Sequence, residues 1–195
     1  MNLHREHHFE REICEHLAAN GWLYAEDDAA RYDREHSLFL PDLLAWIEQT
    51  QPASWQALIK THGSQLGERV ASRMRKSLDE RGTLDVLRRG VEMVGLKAPL
   101  SVVQFKPALA MNPVIEQHYA ANRLRVVRQV HHSLNNTQDS VDLVLFVNGI
   151  AVATAELKSD FTQSVGDAVD QYRFDRPPQP KGGRAEPLLG FPGEQ

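Results

Sequence analysis

Three charged residues interrupt a stretch otherwise made of apolar strand formers. In SVDLVLFVNGIAVATAELKSD, residues 140–160, Asp142 lies near the start, and Glu156 and Lys158 lie near the end. Two carboxylates brought side by side repel each other unless a cation stands between them. A hard divalent ion such as Mg2+ prefers oxygen ligands and keeps several of its waters. Held by two acids, such an ion can take a phosphodiester oxygen, stabilise the charge of the pentacovalent state and lower the pKa of a bound water. A neighbouring lysine can orient that water or offset charge on the phosphate. This is the minimum equipment for hydrolysing a DNA backbone. The same residues also suit a plainer role, an acid–lysine pair on the solvated end of a hairpin, and the short D…ExK spacing alone does not separate the two.

The elements that must position these charges are two strands, VDLVLFV and IAVATAEL, around an Asn148-Gly149 turn. Glu156 and Lys158 are two apart and share a face, while Leu157 points the other way. A plain two-residue turn sets Val147 opposite Ile150 and Asp142 opposite Ala155, on the wrong face. A loop one residue longer, or a bulge, sets Val147 opposite Ala151 and Asp142 opposite Glu156. The apolar pattern favours the second register. One face then holds Val141, Leu143, Leu145 and Val147 against Ala151, Ala153, Ala155 and Leu157, a surface suited to a packed helix, and a one-residue slip scatters both sets.

Around this hairpin the chain alternates in character. HHFEREICEHLAANGW predicts an opening helix with Phe9, Ile13 and Leu17 on one face and Gly21 as its stop. Residues 37–50 predict a second helix. Residues 53–79 predict a longer one interrupted near Gly63, and another runs from Thr83 as N-cap to about Val94. SVVQF and RLRVVRQVHH are further strand candidates, and SVGDAVDQYRFD returns to helical spacing. From Pro177 the chain is rich in breakers and reads as a loop-rich trailing segment, 177–195, leading toward a further, absent domain. The order suggests one α/β domain, 1–176, with 37–95 as a helical insertion.

The bulk numbers bound the function. The 195 residues are 42% hydrophobic and 25% charged, ordinary for a globular domain, with a net charge of −4. A chain that grips DNA unaided through many phosphate contacts is usually basic, so any contact here is local and weak. Cys14 is the single cysteine, which rules out a disulfide framework and a thiolate zinc cluster. No run has the length of a membrane span and the polar start is no secretory signal, so a cytoplasmic location and no membrane partner are expected.

The longer context VDLVLFVNGIAVATAELKSDFTQSVGDAVDQYRFDR resembles the N-terminal nuclease region of the R (restriction and translocation) subunit of type I restriction-modification enzymes. The resemblance is most specific over 140–176 and extends through RLRVVRQVHHS to the opening FEREICEHLAANGW. It implies a PD-(D/E)xK restriction-endonuclease-like core, a mixed sheet flanked by helices. Asp142 and Glu156 then correspond to the acids that bind Mg2+, with the Leu157 backbone carbonyl as a further ligand, and Lys158 to the catalytic lysine. Gln171 matches a glutamine on the helix after the motif. The tyrosine that follows it by four residues in the family is Asp175 here, with Tyr172 directly after Gln171. Glu10 resembles the acid on the first helix that related nucleases direct toward the metal, or it is a solvated flank of that helix. The resemblance also implies double-stranded DNA as substrate, cut away from the recognition site, and methyltransferase and specificity subunits as partners. Its ATP-driven motor lies downstream, and no GxxxxGK[ST] loop occurs in this chain, so ATP belongs to the full-length subunit.

Two other readings compete: a stand-alone repair or resolvase-type nuclease, and a non-catalytic module that docks the R subunit on its partners. His4, His7, His8 and His16 crowd the first helix near Cys14, but without a second ligand cluster Cys14 reads as a small buried apolar residue. Arg123, Arg125 and Arg128, with His131 and His132, suggest either a phosphate track or a solvated strand face. Arg69, Arg73, Arg75 and Lys76 suggest helix surface or a contact to a neighbouring domain.

Overall fold

The computed structural model describes residues 3–109, 111–157 and 178–190. The opening helix is α1 (Leu3–Ala19), with Gly21 behind it at φ +91, a left-handed stop. Its inward stripe differs from the expected one. Glu10 and Cys14 are buried and Ile13 and Leu17 partly so, whereas Phe9 is 53% exposed. The stripe follows i, i+3, i+4, i+7 from Glu10, so an acid rather than Phe9 faces the sheet.

Four helices follow, α2 (Leu40–Thr50), α3 (Pro52–His62), α4 (Leu66–Arg81) and α5 (Thr83–Arg89), packed around Trp46, Ile47, Leu58, Val70 and Met74. The helix expected from 37 starts at Leu40, because Leu38 bridges Ile150 and the Phe39 N–H donates to the Gly149 carbonyl. The interruption near Gly63 is a 3-10 turn, Gly63–Gln65. Thr83 is not the N-cap expected; Gly82 occupies that position and Thr83 opens the helix. This helix ends at Arg89, short of Val94, because Gly90 at φ +69 lies against the Leu100 backbone and Val91 bridges Leu100. SVVQF forms no strand. Its Val102 is buried with the helices and its backbone is tied by a bond from Asn148 instead of a ladder. An unexpected helix, α6 (Pro113–Ala120), is capped by the Asn112 side chain, which accepts from the N–H groups of Val114 and Ile115.

Strands β1 (Leu124–His131), β2 (Ser140–Val147) and β3 (Ile150–Ala155) form a three-stranded antiparallel sheet in the order β1-β2-β3. The mixed sheet expected is thus antiparallel among the described residues, with an isolated parallel bridge between Leu23 and Arg125. One face packs Val126 and Leu143 on Cys14 of α1, and the other gathers Val127, Val144 and Phe146 with Tyr32 and Phe39. Asn148 and Gly149 have φ of 48 and 78, both positive as a type I′ turn requires. Val147 therefore pairs with Ile150, not with Ala151 as expected. The shift comes further on: Phe146 pairs with Ala151 but Leu145 with Ala153, leaving Val152 as the extra residue of a β-bulge. Ala151 accordingly packs with the Phe146 cluster and Ala155 with the Leu143 cluster, so the single row of small residues expected on β3 is broken at the bulge.

Residues 178–190 contain no helix or strand but are docked. Leu188 enters the Phe146 cluster, and the buried Glu186 carboxylate accepts from Ser133 Oγ at 2.6 Å, the Leu134 N–H at 2.9 Å and Asn135 Nδ2 at 2.6 Å. The helix expected over 164–175 lies outside the described residues. No helix among the described residues is long and apolar enough to cross a membrane.

Candidate functional site

Beyond the bulge the ladder ends at the pair Leu143–Ala155, and Val141 packs with the Phe146 cluster rather than with Leu143 and Leu157 as expected. Ala155 and Leu157 both pack with the Leu143 cluster against α1, the side on which Asp142 meets Gln129. The Leu157 N–H donates to Asp142 Oδ2 at 2.7 Å and draws the 156–157 backbone against the aspartate. On the opposite side, the pairs Arg128–Leu143 and Val130–Val141 bracket Gln129, which therefore lies across from Asp142 in β1. Gln129 Nε2 donates to Asp142 Oδ1 at 3.2 Å and to Glu10 Oε1 at 2.9 Å, while its Oε1 accepts from Ser140 Oγ at 3.2 Å.

Glu10 reaches this cluster from α1 and is 2% exposed. Its Oε2 is buried and makes no hydrogen bond, an uncommon state for a carboxylate oxygen. Arg128 Nη2 stands 3.4 Å and His7 Nδ1 3.5 Å from it. Burial pulls the Arg128 pKa down, but Tyr24 and Glu10 outweigh it and leave the guanidinium firmly charged. The structure thus brings Glu10, Asp142 and the Glu156–Leu157 backbone to one end of the sheet. Lys158, Gln171, Tyr172 and Asp175 lie outside the described residues. Among the described residues no three His, Cys, Asp or Glu side chains come together as a ligand group. Gln129 was not singled out by sequence reasoning, and a lone glutamine inside a strand pattern carries no signal; its positive φ and its two carboxylate partners exist only in the fold.

The arginines of β1 are not a phosphate track. Arg125 is buried and forks onto Asp42, Nε to Oδ2 at 2.6 Å and Nη2 to Oδ1 at 3.1 Å, with Nη1 on Asp28 Oδ2 at 2.5 Å. Arg123 joins Asp42 at 2.9 Å, and Arg128 faces Glu10. Their charges are already matched inside the fold, and His132 is buried as well. On α1, His7 and His8 lie near Glu10 and Glu12. Cys14 is fully buried, and burial pushes its thiol up to about 11, which keeps it protonated and suits an apolar role. Arg69, Arg73 and Lys76 line, with Lys97, an open groove of about 650 Å³ that includes no residue of the hairpin. Arg75 instead turns to Asp79 and to the Pro187 carbonyl of the docked segment.

Over residues 5–190 the chain matches the family described as type I restriction enzyme R protein N terminus. No curated protein and no solved structure gives a significant match.

Proposed function

Because the chain belongs to the family of type I restriction enzyme R protein N termini, we propose that it is the endonuclease module of such a subunit, a Mg2+-dependent hydrolase of phosphodiester bonds in double-stranded DNA. The observation that carries this reading is the convergence of Glu10, Asp142 and the Glu156–Leu157 backbone at one end of the sheet. The donor set suits a hard ion. It is oxygen throughout, Glu10 Oε2 is buried without a hydrogen bond, and each Asp142 oxygen accepts a single bond among the described residues.

On this reading Asp142 and Glu156 would hold Mg2+ together with the Leu157 carbonyl. When bound, the ion supplies charge stabilisation at the phosphate and a water of lowered pKa. Lys158 would orient that water or offset charge on the phosphate, with Gln171 as the glutamine that matches the family motif. The antiparallel hairpin with its flanking α1 is the described part of a PD-(D/E)xK core over residues 1–176, with the helices of 37–95 as an insertion. The substrate is DNA presented by the methyltransferase and specificity subunits and by the ATP-driven motor of the full-length subunit, in the cytoplasm.

The test is cleavage by the assembled enzyme carrying Asp142→Ala, Glu156→Ala or Lys158→Ala. Each is expected to abolish cleavage while ATP hydrolysis and translocation persist. Cleavage at the parental rate removes that residue from the site. Loss of ATP hydrolysis together with cleavage favours a docking role for the module instead.

A further inference from the structure

We propose that Gln129 is a positioning residue, a neutral amide clamp that orients one oxygen of Glu10 and one of Asp142 and leaves their charge in place for a divalent cation. The inference rests on the metal-dependent reading above. Its first support is the backbone. Gln129 has φ +51 in the middle of a strand, a conformation that L side chains rarely adopt. Along a regular strand Arg128 and Gln129 would point to opposite faces. Here both reach Glu10, and Val127 and Val130, on either side of them, enter the same cluster on the other face. The left-handed residue therefore serves to turn one additional side chain toward the acids.

The second support is the amide itself. Nε2 meets both carboxylates and Oε1 meets the Ser140 hydroxyl, which can donate. Reversing the amide would set its oxygen against two carboxylate oxygens, so the network admits one orientation. The third is charge. Arg128 already lies 3.4 Å from Glu10 Oε2, so a lysine or arginine at position 129 would cancel the remaining Asp142 charge, and an acid would add a third repelling charge. A glutamine orients both acids without doing either. Groups that hold metal ligands in this way typically govern roughly 10–100-fold of metal affinity.

The experiment is an Mn2+ titration of the full chain, followed by electron paramagnetic resonance, for the parent, Asp142→Ala, Gln129→Gly and Gln129→Asn. Glycine is at ease at φ +51, so it keeps the backbone and deletes only the amide. Asparagine also tolerates a left-handed backbone but is one methylene too short for the acids, and it is read in the same way should the glycine variant not fold. The expected result is a Gln129→Gly chain that still unfolds cooperatively, with Mn2+ affinity weakened roughly 10–100-fold. If Asp142→Ala loses Mn2+ while both Gln129 variants keep the parental affinity, the metal site stands and the clamp is overturned. If the parent and Asp142→Ala bind Mn2+ alike, the metal-dependent reading itself fails and the clamp falls with it.

Discussion

At Arg125 one guanidinium joins two buried carboxylates, Asp28 and Asp42, and lies 4.2 Å over the Phe39 ring. Burial lowers its pKa, but the bonds to Asp42 and Asp28 more than offset this and leave it raised. Removing one partner of a buried pair strands the other charge, which typically costs about 3–5 kcal/mol. Arg125→Ala is therefore expected to lower unfolding free energy by about that amount in urea denaturation. Arg125→Lys is expected to recover only part of it, because an ammonium cannot fork onto Asp42 while also meeting Asp28. The acidic end of the sheet is built on the opposite plan. There an amide stands between Glu10 and Asp142, and Glu10 Oε2, without a hydrogen bond, has Arg128 at 3.4 Å.

The hairpin is the element on which the site depends, and its tip is pinned as firmly as its ladder. Asn148 is fully buried. Its Oδ1 accepts the Arg123 N–H at 2.7 Å, and its Nδ2 donates to the Val102 carbonyl and Asn122 Oδ1, both at 2.9 Å. Gly149 accepts the Phe39 N–H at 2.8 Å, and a Cβ there would overlap the Phe39 carbonyl oxygen. Gly149→Ala combines that overlap with a φ of 78, so it is expected to destabilise the chain by more than about 1 kcal/mol. Asn148→Ala leaves the Arg123 N–H and the Val102 carbonyl unpaired, while Asn122 Oδ1 keeps the Gln104 N–H, and is expected to cost about 2–3 kcal/mol. Equilibrium unfolding of both variants checks the pair of values. Because the tip anchors against α2 while the acids sit at the far end, the Val152 bulge is what reconciles a two-residue turn with the pairing of Leu143 and Ala155.

Across the whole molecule, the segment 178–190 ties the loop after β1 to α4: Glu186 holds Ser133, Leu134 and Asn135, and Arg75 donates to the Pro187 carbonyl at 3.2 Å. Burial works to raise the Glu186 pKa, but the bonds from Ser133, Asn135 and Leu134 and the charge of His132 hold it below its ordinary value. A carboxyl depressed in the folded state adds stability that is complete above its unfolded pKa, near 4.3, and is lost as pH falls through the lower folded value. Glu186→Gln is thus expected to be less stable near neutrality and to show a flatter stability profile below roughly pH 5 than the parent. Thermal unfolding across that range tests it, and parallel profiles for the two proteins would contradict the assignment. The family match spans 5–190 and so includes the docked segment.

The sequence by itself determined the features that depend on neighbours in the chain. Four-residue spacing marked α1, alternation and an Asn-Gly pair marked the β2–β3 hairpin, and the acids and lysine stood out against an apolar background. The need for a bulge or a longer loop was also legible, because a side-chain period of two allows only one parity to gather Asp142 and Glu156. Which of the two occurs was not, since both satisfy the same parity; the tip's bonds to Phe39, Arg123 and Val102 select the tight turn and push the extra residue down to Val152. The arginines of β1 misled for a related reason. Strand spacing says that Arg123 and Arg125 share a face but not that Asp42 and Asp28 wait there, 83 and 97 residues from Arg125. Gln129 and Glu10, 119 apart, meet only because α1 packs on the sheet and one residue takes a left-handed backbone. Local geometry is written in spacing. Partners distant in the chain are chosen by packing, because a buried charge must find whichever opposite group the assembled core places beside it.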